Sequence, residues 1–224
     1  MNKIKISLLA LAAGITISSC AIDSDILPKE PFVITDYYVA GTLTPASNSY
    51  TSVYLIKLLE NNKAVFMSSG SDFTGDYTLT EDSLVVIVSD PNNYREARFA
   101  INKDHELTSA RYKALTTEYK TTGSLLKIGD KNLLAGKTFK GEEFKMGPSS
   151  FKSNWFYKFN ETGYSYGKGE DAAAISTEYE ATIINNSAFK FKNSSFTEIG
   201  FVQGDSLTIF RSQGLYYFGK YKKQ

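Results

Sequence analysis

The chain is 224 residues long, 42% hydrophobic and 14% aromatic, with a formal net charge of +1 at pH 7. That apolar content supplies a packed core and excludes a disordered chain. The charge balance excludes a strongly basic nucleic-acid-binding protein, and the length allows one domain or two small ones.

The first twenty residues decide the compartment. Lys3 and Lys5 precede an apolar run from Ile6 to Ile17, which ends in Ser18-Ser19-Cys20. A basic start, an apolar stretch too short to span a bilayer and a small-residue end are the parts of a secretory signal peptide. Cys20 is the only cysteine, so it has no partner for an internal disulfide. Ile17-Ser18-Ser19-Cys20 resembles the lipobox of bacterial lipoproteins, in which an aliphatic and two small residues precede the acylated cysteine. The resemblance implies a signal peptide over residues 1–19, three acyl chains (palmitate-type) on Cys20, and an outer-membrane lipoprotein. Burying an acyl methylene is worth about 0.8 kcal/mol, so several chains on one residue hold durably. Removing Lys3 and Lys5 with the signal takes the 25 basic residues to 23, against 24 acidic ones.

Residues 20–31 are polar and carry Pro28 and Pro31, the texture of a lipidated tether. Asp23 and Asp25 resemble the acidic signals that direct lipoproteins of Bacteroidetes-type bacteria to the cell surface; a solvated, charged linker is the other reading.

After Pro31 nearly everything reads as strand. Runs rich in Tyr, Phe, Val, Ile and Thr alternate with Gly, Asn, Asp and Ser clusters, the signal of an antiparallel all-β protein. Strands are predicted at 37–41, 53–59, 64–67, 73–80, 83–89, 94–102 and 107–113. Leu84-Val85-Val86-Ile87-Val88 is apolar at every position, which predicts a central strand covered on both faces. Asn61-Asn62 and Glu81-Asp82 fall where hairpin turns belong. Residues 116–132 are richer in Thr, Lys and Gly and read as a connection holding one strand or a short helix. The predicted boundary lies there, with one β domain at 32–131 and a second at 132–224. In the second, strands are predicted at 133–139, 154–159, 163–167, 177–184, 188–192, 197–202, 206–211 and 215–221.

The halves align in two incompatible registers. One matches Phe73-Thr74 and Asp82-Ser83-Leu84 with Phe196-Thr197 and Asp205-Ser206-Leu207. The other matches Tyr77 with Tyr179, and Leu107-Thr108 with Leu207-Thr208. Each half also begins with a glycine near its first strand, in Ala40-Gly41-Thr42 and Ala135-Gly136-Lys137-Thr138-Phe139, followed by a strand-turn-strand. This pattern resembles the lipocalin-like domains of Bacteroidetes lipoproteins, although the aromatic of that family's Gly-x-Trp-type motif is missing from the first half and is Phe139 in the second. The resemblance implies two tandem lipocalin/calycin-like barrels or curled sheets, and a cavity for a small hydrophobic molecule.

Most catalytic chemistry lacks its residues. His105 is the only histidine and lies in a turn-like Asn102-Lys103-Asp104-His105-Glu106, so no His-based triad or His-rich metal site is expected. The glycines form no phosphate loop. Glu178 and Glu180 share a strand face, where a glycosidase-like pair is conceivable and a solvent-facing edge is the plain alternative. The expectation is a non-enzyme with no cofactor. The aromatics are the remaining lead: Trp155, Tyr157, Tyr164 and Tyr166 are the predicted ligand-binding residues. The leading expectation is a membrane-anchored binding module for an apolar or amphipathic ligand. The alternative is an envelope module that engages a protein or a glycan.

Overall fold

The structure, a computed structural model, describes residues 31–146 and 150–224. Cys20, the signal and the tether up to residue 30 lie outside the described residues. Phe32–Gln224 forms a compact unit and holds every residue of the three apolar cores.

A single 3₁₀ turn, Ile34–Asp36, leads into β1 (Tyr37–Pro45), β2 (Ser52–Leu58), β3 (Lys63–Met67), β4 (Asp72–Leu79), β5 (Ser83–Val88), β6 (Arg95–Ile101), β7 (Leu107–Ala114) and β8 (Thr117–Lys127). Each strand pairs antiparallel with the next, and β1 returns to β8, so the sheet closes into an eight-stranded up-and-down barrel. That arrangement is also used by lipocalins. Of the two readings of residues 116–132, one strand or a short helix, the strand is formed: it is β8, which closes the barrel. Its Thr-rich exposed face hides a ladder that runs from Tyr37↔Lys127 to Pro45↔Tyr119.

Nine further strands follow: β9 (Thr138–Lys145), β10 (Ser150–Phe159), β11 (Ser165–Gly169), β12 (Tyr179–Glu180), β13 (Thr182–Ile184), β14 (Ala188–Lys192), β15 (Thr197–Gln203), β16 (Ser206–Gln213) and β17 (Leu215–Lys223). They form one sheet in the order β12-β11-β10-β9-β17-β16-β15-β14-β13. Its two edges, β12 and β13, are consecutive in the chain and separated only by Ala181, so one bent segment nearly closes this sheet into a second barrel. The protein is thus all-β, with two tandem barrels. Counting the bent segment as one strand, Tyr77 on β4 and Tyr179 on β12 both occupy the fourth position of their barrels. Leu107 on β7 and Leu207 on β16 both occupy the seventh. The topology agrees with that register and not with the one matching Phe73 to Phe196.

Turn chemistry follows the residues. Asn61 and Asn62 both adopt φ +57, as a two-residue hairpin turn requires, and Asn185 and Asn186 do the same between β13 and β14. The paired glycines Gly41 and Gly123 make room inside the first barrel. A Cβ on Gly41 would lie 2.0 Å from the Thr122 carbonyl oxygen, and one on Gly123 would lie 3.0 Å from the Tyr54 hydroxyl. Tyr54 fills this space, fully buried, and donates to the Thr122 carbonyl at 2.9 Å.

Packing differs from the expectation in one respect. β5 alternates between buried and half-buried positions, so its apolar run is not doubly covered. The strands buried on both faces are β1 and β2 in the first barrel and β15 and β16 in the second. The reason is a third core between the barrels: Tyr38, Ala40, Val53 and Leu55 on one side meet Ile184, Ala188, Ile199, Phe201 and Phe210 on the other. Side chains alternate across a strand. In β2, Tyr54 and Ile56 fill the first barrel while Val53 and Leu55 cover the second. The rim of this interface carries the ion pair Lys190–Asp72 at 2.5 Å.

Candidate functional site

Two features stand out from a packed β core. The first lies inside the second barrel. Alternation in β15 turns Ile199 and Phe201 outward onto the first barrel and leaves Glu198 and Val202 facing inward. In β16 the same logic turns Phe210 outward and Ile209 and Arg211 inward. Glu198 is fully buried. Its Oε1 accepts from the Tyr157 hydroxyl at 2.9 Å and from Lys168 Nζ at 2.6 Å, and its Oε2 accepts from the Tyr166 hydroxyl. Arg211 bonds Glu143 through Nη2 at 2.6 Å and Gln213 through Nη1 at 3.0 Å, while its Nε faces Glu198 at 3.6 Å. Two carboxylates and two cations are so interlocked, which is how buried charges are tolerated.

Burial dominates the electrostatics here. It pushes the Lys168 amine down to about 8, against the pull of Glu198. It pushes the Glu143 carboxyl up despite Arg211, and raises the Tyr157, Tyr166 and Tyr221 phenols well above their ordinary range. Lys168 also lies 3.8 Å from the centre of the Phe196 ring, and Arg211 lies 4.2 Å from that of Tyr217. Both are cation–π distances.

Of the four aromatics predicted to bind ligand, Tyr157 and Tyr166 come together, fully buried and with ring centroids 6.1 Å apart. Their hydroxyls are committed to Glu198. Trp155 packs at the edge of the same core, half-buried, and its Nε1 is buried with no hydrogen-bond partner among the described residues. Tyr164 stands apart on the β10–β11 turn, 58% exposed. Glu178 and Glu180 are both exposed, so the carboxylates that converge are Glu143 and Glu198 instead. No group of His, Cys, Asp and Glu suited to a metal occurs among the described residues. His105 occupies a turn with φ +62, as expected, and its ring stacks on Phe32 at 3.8 Å.

The second feature is a cleft of about 660 Å³ between the barrels. One wall is the outer face of β1 and β8, where Thr42 and Thr122 share a 2.8 Å hydroxyl contact. The other is the outer face of β17 and β9, which presents Tyr216, Phe218 and Phe144. Tyr50, from the β1–β2 loop, reaches across and sets its ring 4.6 Å from Tyr216 and 6.4 Å from Phe210. Lys120 and Lys220 also line it. A cleft of this volume at a domain interface, mostly apolar with a few polar groups, is the usual form of a small-molecule site. Sequence reading missed it because its walls come from four strands scattered along the chain, from Thr42 on β1 to Lys220 on β17. The one local signal is the run Tyr216-Tyr217-Phe218, where alternation sends Tyr216 and Phe218 to one face and Tyr217 to the other, so that aromatic rings must be left outside the barrel.

No helix among the described residues is long and apolar enough to cross a membrane. Comparison with protein-family models, with curated proteins and with solved structures returns no match.

Proposed function

We propose that this protein is a non-enzymatic outer-membrane lipoprotein, anchored through Cys20, that holds a small amphipathic molecule in the cleft between its barrels. The observation that carries this reading is the cleft itself, with aromatic rings on one wall and threonine hydroxyls on the other. The barrel interiors support it by contrast. The first is filled by Tyr54, Phe66, Phe99 and Tyr112. The second is filled by aromatics and by the Glu198 network. The lipocalin-like ancestry is part of the same proposal, with the ligand seat moved from the barrel lumen to the junction.

Native mass spectrometry of Phe32–Gln224 purified gently from its own kind of host tests the reading. A discrete extra mass is expected, lost on denaturation and absent from Tyr216→Ala. A bare polypeptide mass, with no ligand recovered on incubation with the host's lipid extract, would overturn it. The anchor is tested separately: Cys20→Ser is expected to move the protein from the membrane to the soluble fraction.

A second reading, an envelope module that engages a protein or glycan, draws support from one cluster. Met146, Phe151, Leu215 and Tyr216 are four of the eight large apolar side chains left exposed among the described residues, and they gather where β9, β10, β16 and β17 meet. Such patches mark interaction surfaces.

A further inference from the structure

The charge of the cleft narrows the class of molecule it takes. Its lining includes two lysines, Lys120 and Lys220, and no acidic residue. Both lysines are exposed, and neither makes an ion pair among the described residues. Other cations are paired, such as Lys168 and Arg211 in the second barrel and Lys190 with Asp72 at the rim, while exposed lysines such as Lys57, Lys103 and Lys113 share with Lys120 and Lys220 the absence of an ion pair among the described residues. Lys220 sits opposite Glu142 in the β17–β9 ladder, yet the two form no ion pair. The two ammonium groups therefore remain available at the cleft.

Beside them the apolar surface is also unsatisfied. Tyr216 is 38% exposed and Met146 is 47% exposed, both lining the cleft. Tyr50 and Tyr216, in ring contact at 4.6 Å, and Phe218 together offer an aromatic surface on which a planar or chain-like body can lie. An occupant that satisfies both features has an apolar body and a negative head.

We infer that the cleft binds an anionic amphiphile, its apolar body against Tyr50, Tyr216 and Phe218 and its carboxylate, sulfate or phosphate head at Lys120 and Lys220. The inference rests on the cleft reading above and adds the sign of the charge. A compact anion on two point-charge ammonium groups is a favourable pairing, and a cleft with one sign of charge also concentrates such ligands from solution. Because the lysines are exposed, the attraction weakens with salt.

The test uses two fluorescent probes that differ in one group, 8-anilino-1-naphthalenesulfonate and the neutral N-phenyl-1-naphthylamine. They are titrated into Phe32–Gln224 and into the double variant Lys120→Gln/Lys220→Gln. The sulfonate is expected to bind about tenfold more tightly than the neutral probe, to weaken about tenfold in the double variant, and to weaken between 50 mM and 500 mM NaCl. The neutral probe is expected to change little in either comparison. Equal affinity of both probes, or a sulfonate affinity unmoved by the double variant, would overturn the anionic assignment and leave the cleft in place. Loss of neither probe in Tyr216→Ala would instead remove the cleft as the site. Circular dichroism and urea midpoints equal to those of the parent establish that the variants are folded. Fatty acids, aryl sulfates and alkyl phosphates competing against the bound sulfonate then distinguish the source of the negative head.

Discussion

Tyr38 and Ser187, on different barrels and 149 positions apart in the chain, share a buried hydroxyl–hydroxyl hydrogen bond of 2.8 Å. Tyr38 points outward from β1, where a free-standing barrel would meet water, and is instead fully buried by β14–β16. Tyr38→Phe keeps the ring and removes this bond, while Ser187 still reaches the Asn185 carbonyl at 3.0 Å. The expected loss is about 1 kcal/mol, read as a lower urea midpoint with an unchanged slope.

The shared core predicts that the barrels stand or fall together. Residues 32–131 alone would expose Val53, Leu55 and Met67, and residues 132–224 alone would expose Ile199, Phe201 and Phe210. Each half expressed separately is expected to aggregate or to bind apolar dyes broadly, whereas co-expressed halves are expected to purify as a complex. Two soluble, monomeric halves with sharp thermal transitions would contradict this.

Glu198 is the hub of the network in the second barrel, receiving Tyr157, Tyr166 and Lys168. Glu198→Ala leaves buried Lys168 without its partner and removes the acceptor from two buried phenols. Breaking a buried pair in this way costs about 3–5 kcal/mol. Formate, a small carboxylate of the right charge, is expected to restore part of the lost thermal stability, and sodium chloride at the same ionic strength is not. Equal effects of the two salts would mean that the pocket left by Glu198 has collapsed.

Stability against pH has two opposed alkaline contributions. Burial lowers the Lys168 amine to about 8 from 10.5, so between these values the unfolded chain holds a proton that the folded chain has released. Stability contributed by this group therefore rises with pH across that window, by about 3 kcal/mol at most. Burial raises the phenols of Tyr38 and Tyr112 to about 12 from 10. The folded chain keeps those protons longer, so stability is fully present below pH 10 and is lost as pH climbs towards 12. Urea midpoints measured from pH 7 to 11.5 are expected to rise gently and then fall steeply. Lys168→Met is expected to abolish the rise and keep the fall.

How much of this was legible in the sequence depends on how local each cause is. Alternating aromatic and β-branched runs, with paired asparagines at turns, determine antiparallel hairpins because the forces act between residues two to ten apart. Hence the all-β class is legible in the sequence alone, as are the Asn61-Asn62 turn and the placing of His105 in a turn. Residues 116–132 left strand and short helix open because β8 is exposed on one face, and its pairing with β1 is set by barrel closure over a long separation.

Tertiary structure alone decided which face of each strand is the inside. In β15 the apolar pair Ile199 and Phe201 would by pattern face the barrel core, with Glu198 towards water. The neighbouring barrel supplies an apolar surface outside, which takes Ile199 and Phe201 and forces Glu198 inward to meet Arg211 and Lys168. The same inversion created the cleft, since Tyr216 and Phe218 become a wall only when Tyr50 from the other barrel stands opposite. A strand's alternation specifies that two faces differ. Only the packing of whole barrels specifies what each face meets.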